Sequence, residues 1–437
     1  MPPTLAIFLT LNPWKGAYGT NAPDWYTHEW MCSFTLFAWM GLLLSYKSKF
    51  PATSLQQQLV FLSPFLAFLP AWMQLSVYPV YSWDYDCYRI AADQITQGLN
   101  PYGEFYFYPP LTAWAISAVN RITESHQITF MLYQYLQLLL VAGLILQIRQ
   151  LLSRLNFKPE MAALILMALM TFNVPLWRTL HYNQVNLVLL YILLFLMLSS
   201  NRHAIASGAA MALGVLIKIY PIILPGIWLL RKQGKHLIAG IVFLIAGIGF
   251  LEMQMPGIWQ QFLVFITHFP AGDKLRDNSV HSIYYNVGIL AGIADHADLV
   301  GYKQKIYTLY FITVAIISGG FLYRILKREF SSHPDKSRDY CMHIADAGAC
   351  MLLISPMAWE HHYVLAIPLA VMAIGMYRDT FRFSLWLAVL LIFVFPVTDI
   401  FILSLNRIVG LLMLLYLTRP GAQQAVISKA GDTISSD

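Results

Sequence analysis

Two carboxylates, Asp84 and Asp86, open the stretch Trp83–Pro110, WDYDCYRIAADQITQGLNPYGEFYFYPP. Such carboxylates can take a proton from a hydroxyl, cap a helix N-terminus, or loosely hold a divalent cation, magnesium or manganese. Three further polar islands interrupt apolar sequence. RTLHYNQVN, Arg178–Asn186, offers Gln184 and Asn186 to sugar hydroxyls and Arg178 or His181 to a phosphate. Lys218 stands alone in GAAMALGVLIKIYPIILPGIWLLRK. ISPMAWEHHYVLAIP, residues 354–368, holds Glu360, His361 and His362. Adjacent histidines point apart on any regular element, so they do not form a shared metal pair, which needs i,i+4 spacing on a helix. One histidine aimed at a phosphate or hydroxyl is simpler to build. Each island also has a plain structural reading: a helix cap, a polar loop, an interfacial aromatic or a snorkelling lysine.

The elements that must position these groups follow from hydrophobic spacing. Tyr88, Ala91, Ala92, Ile95 and Leu99 form one apolar stripe, with Arg89, Asp93, Gln94 and Gln97 opposite. The pattern predicts a short amphipathic helix lying on a membrane surface, ended by Gly98 and Pro101, with Asp84 just before its start. The aromatic run FYFYPPLTAWAI suits the interfacial belt, where it could wall a lipid groove or stack on a sugar ring. Basic residues flank the Lys218 block at Arg202 and at Arg231–Lys232. If both ends face the same side, the block is a hairpin with Lys218–Pro221 at its tip, below the outer surface. A lysine at that depth needs a partner.

The whole chain, 437 residues, is 58% hydrophobic and only 11% charged, against about 25% charged for soluble domains. Continuous apolar blocks recur from Met31–Leu44 to Leu385–Phe395. They predict an all-α polytopic membrane protein of about ten to thirteen transmembrane helices, since lipid admits helices or closed barrels and these runs do not alternate. Alternating the loops places 18 of the 28 Lys and Arg residues on one side. By the positive-inside rule that side is cytoplasmic, which puts all four polar islands on the extracytoplasmic face. The cytoplasmic halves read as apolar, which argues against the rival reading of a sugar or lipid transporter or flippase. The basic residues are dispersed, so nucleic acid is not a partner. The four cysteines show no metal spacing and read as small buried hydrophobes. The start of the chain makes a poor signal peptide.

At these residues the chain resembles glycosyltransferase family 87, membrane enzymes of the C-type superfamily that use polyprenyl-phosphate sugars and include α-mannosyltransferases. The resemblance runs through Asp84-Tyr85-Asp86-Cys87-Tyr88, Gly98, Pro101-Tyr102 and Tyr108-Pro109-Pro110. It continues in Asn183-Gln184-Val185-Asn186, with asparagine where the pattern has glycine, and in Lys218-Ile219-Tyr220-Pro221. It ends in Ser355-Pro356-Met357-Ala358-Trp359-Glu360-His361-His362, with Glu360 for aspartate. It spans about residues 80–365 of a single domain, 1–420, leaving an extra N-terminal segment, 1–60, and a flexible tail, 421–437. The resemblance implies a C-type glycosyltransferase-like bundle whose extracytoplasmic loops carry short amphipathic helices, in a plasma or inner membrane. It implies inverting transfer of a hexose, mannose above all, from a polyprenyl-phosphate donor to a glycolipid or glycan hydroxyl. On that reading Asp84 is the base, with Asp86 as understudy, and a nearby cation holds the Asp84 pKa low. Lys218, His361, His362 and Arg178 face the donor phosphate, and Gln184, Asn186, Tyr88 and Glu360 the sugar. No cofactor is firmly implied.

Overall fold

The computed structural model describes residues 54–77, 82–102, 106–199, 203–267, 277–290, 299–330, 335–395 and 404–422. The Met31–Leu44 block, Cys32 and most of the tail lie outside the described residues. Within them every regular element is helical. In chain order these are α1 Ser54–Val77, α2 Trp83–Thr96, α3 Leu111–Thr123, α4 His126–Arg154, α5 Pro159–Thr171, α6 Val174–His181, α7 Asn186–Ser199 and α8 Ala204–Ile217. There follow a 3-10 turn Tyr220–Ile223, α9 Leu224–Leu230, α10 Gly234–Gln254, α11 Ile258–Thr267, α12 Val280–Leu290, α13 Leu299–Glu329 and α14 Lys336–Ile354. The last are a 3-10 turn Glu360–Ala366, α15 Ile367–Met376, α16 Phe383–Val389, a π turn Leu390–Val394 and α17 Asn406–Leu417.

Three helical stretches, His126–Arg154, Gly234–Gln254 and Lys305–Glu329, are long and apolar enough to cross a membrane among the described residues. A fourth candidate is the pair α5 and α6, bent by 52°. The bend has a local cause. Asn173 accepts from the Leu176 amide at 2.9 Å and starts a new helix, and Pro175 sits in its first turn, where its missing N–H costs nothing. α6 is thereby turned to carry Arg178 to Glu360.

The Lys218 block folds back on itself. A Cβ on Gly208 would lie 2.5 Å from the Gly240 nitrogen, and Leu216 packs on Gly247. The register rises together along both helices, so α8 and α10 run parallel, and the chain between them must return to its starting level. The 3-10 turn and α9 make that return, and Lys218 sits at the tip.

One expectation from sequence fails here. The half of the bundle assigned to the cytoplasm is not apolar. Asp346 of α14, its side chain fully buried, receives Arg324 through two bonds of 2.9 and 2.8 Å and Arg328 at 2.5 Å. The same arginines bond the Leu415 and Thr418 carbonyls at the end of α17. Nearby, Glu329 joins Arg231 and the Nε2 of His343. These charges are invisible to a hydropathy reading because the arginines end α13, where they count as loop charges, and Asp346 is a lone acid among small apolar residues.

Candidate active site

α2 begins one residue before Asp84, not after it. Ser82 is the N-cap, accepting from the Tyr85 amide at 3.2 Å, and the helix ends at Thr96. Gly98 follows at φ +71°, a left-handed backbone that glycine adopts without strain. Tyr88, Ala91, Ala92 and Ile95 are buried as the stripe predicts, but Leu99 lies past the helix and is 57% exposed.

The two aspartates part company. Side chains two apart on a helix do not face each other. Asp86 points outward to Arg89 at 3.0 Å, and Arg89 also reaches Asp93 at 3.3 Å. Asp84 turns inward, only partly open to solvent, and is within the electrostatic influence of the Gln184 side chain and Lys218. The pair therefore does not converge on one cation, and no three metal-type side chains cluster among the described residues.

Gln184 is the centre of the arrangement. Its Oε1 accepts from Tyr88 at 3.2 Å and from Tyr108 at 3.1 Å, which leaves its amide nitrogen for Asp84, whose pKa it works to lower. The same turn starts α7 at the fully buried Asn186. Asn186 Oδ1 accepts from Lys218 Nζ at 2.9 Å, and its Nδ2 donates to the His361 carbonyl at 3.4 Å. Thr179 also donates to that carbonyl, at 2.9 Å. Lys218, 5% exposed, lies 5.3 Å from the ring centres of both Tyr108 and Tyr220. Its ammonium acts electrostatically on Asp84 and on both histidines. Three of the four islands thus meet around Asp84, Gln184 and Lys218, with the histidines within electrostatic reach of Lys218.

The His361 and His362 rings meet edge to face, 4.5 Å apart, and His361 packs on Tyr182 at 5.7 Å. Both ring nitrogens of His362 are buried without a hydrogen-bond partner. Arg178 and Glu360 meet each other, at 3.0 Å, and Arg178 also donates to the Tyr182 hydroxyl at 2.8 Å. Glu360 pairs on its other oxygen with Arg407 of α17, which is fully buried and also bonds the Ile392 and Phe395 carbonyls. Glu360 is therefore an anchor between two guanidinium groups, and its neighbours His361 and His362 are held by that anchor.

The nearby cation does not hold the Asp84 pKa low. Burial raises it from 3.8 to about 6, against the smaller lowering effects of Gln184 and Lys218. Desolvation of the carboxylate wins because the recess around it is lined by tyrosines. Burial likewise pushes Tyr88 and Tyr108 far up, so both stay protonated as donors.

Reasoning from sequence missed Arg407, Tyr133, Ser82 and Asp277. Arg407 had a usable sign, an arginine opening an apolar helix. Asp277 had none: its Oδ1 accepts from the Ala358 and Ser279 amides at 2.8 and 3.0 Å, latching the start of α12 onto the histidine segment.

Residues 106–356 match the family model of glycosyltransferase family 87, more than half of the chain. The chain belongs to this family. No curated protein matches it. Gln184, Asn186 and Lys218 lie inside the matched range, whereas Asp84 and the two histidines flank it. The chain is accordingly a glycosyltransferase, and its helices give it the character of a membrane protein.

Proposed function

We propose that the chain transfers a hexose, mannose in this reading, from a polyprenyl-phosphate-linked donor to an acceptor hydroxyl on the extracytoplasmic side, inverting the anomeric centre. The observation that carries the proposal is one glutamine, Gln184, which accepts from Tyr88 and Tyr108 and acts on Asp84 beside a buried lysine. Asp84 removes the proton from the acceptor hydroxyl as its oxygen attacks the anomeric carbon, and the bond from that carbon to the phosphate oxygen breaks. A base with a pKa near 6 is ionised at neutral pH yet basic enough to share the proton in the transition state. Lys218 faces the charge that grows on the departing phosphate, with His361 and His362 beside it. Gln184, Asn186 and Tyr88 hold sugar hydroxyls. Arg178 and Glu360 support the histidine segment. The short apolar helices alongside the long ones fit a bundle of ten to thirteen spans within one domain of residues 1–420, in the plasma or inner membrane, with the exposed aromatics meeting lipid.

The direct test gives purified protein a labelled polyprenyl-phosphate mannose and a panel of glycolipid and glycan acceptors. Transfer with inverted configuration is the expected result. Donor movement across vesicles without any glycosidic product would establish the transporter reading instead. For the side, a cysteine replacing Asn100 should react with an impermeant thiol reagent from outside, in a background lacking the native cysteines, and one replacing Lys235 should not.

A further inference from the structure

Asn183 occupies a backbone position that glycine would fill more easily. Its φ is +54°, in the left-handed region where a Cβ is costly. Asparagine tolerates that region better than most residues, but glycine enters it freely. The family-like pattern noted in the sequence has glycine here.

The asparagine side chain makes a contact that glycine could not. Its Nδ2 donates to Ser82 Oγ at 3.3 Å. That hydroxyl also accepts from the Tyr85 amide, as the cap of α2, and donates to the Tyr182 carbonyl at 2.7 Å. One proton and two lone pairs are thus all engaged. From the other side the Tyr133 hydroxyl donates to the Asn183 carbonyl at 2.6 Å. Ser82 lies two residues before Asp84, and Asn183 lies one before Gln184. The contacts of Gln184 with Asp84 and Tyr88 also cross this gap, but they use groups that a substrate would engage.

We infer that Asn183 is a positioning residue, whose side chain ties the first turn of α2 to the turn between α6 and α7 and so fixes Asp84 against Gln184. The inference rests on the proposed role of Asp84 as base. Asn183 touches no reacting atom.

The test compares full-length wild type with Asn183→Gly, Ser82→Ala and the double variant. It measures kcat, donor KM, the pH dependence of kcat/KM, and the thermal midpoint. Asn183→Gly relieves the backbone, so its midpoint should hold or rise. Its kcat should nevertheless fall by roughly 3- to 10-fold, the worth of one hydrogen bond, with donor KM unchanged. Loosening Gln184 from Asp84 removes an effect that lowers the Asp84 pKa, so the acid limb of the profile should move to higher pH. Ser82→Ala, which also loses the bond to the Tyr182 carbonyl, should show a kinetic loss at least as large, with a lower midpoint from the lost cap, and the double variant should be no slower than Ser82→Ala alone. An active wild type beside an Asn183→Gly variant with unchanged kcat and acid limb would overturn the inference alone. A wild type that transfers no sugar would overturn the proposed reaction and this inference with it.

Discussion

The middle of α14 and the histidine segment that follows it handle buried polarity in opposite ways. Asp346, in the middle of the helix, meets two arginines, and those arginines also close the end of α17. About 12 Å further along the axis, at eight residues of 1.5 Å rise, the chain leaves the helix and enters the histidine segment. There His362 keeps both ring nitrogens buried without a partner, and Asp84 sits in a recess that raises its pKa to about 6. The inner cluster does leave two atoms unmatched, the Nδ1 of His343 and the Nε of Arg231. Even so, its carboxylate is matched on both oxygens. A buried polar atom without a partner costs about 1–3 kcal/mol. The paired carboxylate of Asp346 therefore marks architecture, and the unpartnered His362 ring beside the desolvated Asp84 recess marks the place for a ligand.

The comparison breaks most visibly at Asp346. Asp346→Ala leaves Arg324 and Arg328 buried without their carboxylate, and removing one partner of such a cluster costs about 3–5 kcal/mol. A large fall in thermal midpoint is expected, with turnover per folded molecule near wild type. A variant that keeps its midpoint but loses transfer would erase the distinction between the two regions.

Lys218→Met is the converse. It should lower kcat/KM for the labelled donor by roughly 10- to 150-fold, the worth of a charge-assisted contact of about 1.5–3 kcal/mol. Stability should fall by no more than the about 1–3 kcal/mol that leaving Asn186 Oδ1 unpartnered costs, because a methionine packs where the lysine stem does. Lys218→Arg should regain part of the rate. Steady-state kinetics toward the donor, read beside a melting curve, decide it. Unchanged kinetics would reduce Lys218 to a snorkelling lysine and move the phosphate site to the histidines.

The smallest effect is expected at Asp86. Its pair with Arg89 is partly exposed, and such pairs are worth about 0–1 kcal/mol. Asp86→Asn should alter turnover by less than about threefold, with or without added magnesium or manganese. A large loss rescued by either ion would restore the shared-cation reading of the two aspartates.

The sequence carried the helical class, the amphipathic α2 and the Lys218 turn, because each depends on local spacing and on the cost of charge in lipid. It also brought Asp84, Gln184, Asn186 and Lys218 into view as polar residues that apolar blocks had no reason to keep. What it could not carry was partnership across the fold. Arg178 was legible as a candidate phosphate ligand, but its pairing with Glu360, 182 positions away, was not. Asp84 looked depressed by a cation because desolvation depends on tyrosines brought in from α2, α4 and the loop before α3. The inner ion cluster was missed for the same reason, since its members lie on separate elements that read alone as loop charge or small apolar sequence.

The most direct measurement is the pH dependence of kcat/KM for sugar transfer by wild type and Asp84→Asn, each verified as folded. A group with a pKa raised to about 6 and needed in its ionised form gives an acid limb there, with the rate falling about tenfold per pH unit below it. The asparagine variant should lose that limb and run about 10²- to 10⁴-fold slower, the usual worth of a general base. An Asp84→Asn protein that turns over at near the wild-type rate, with its acid limb in place, would contradict the assignment of Asp84 as the base.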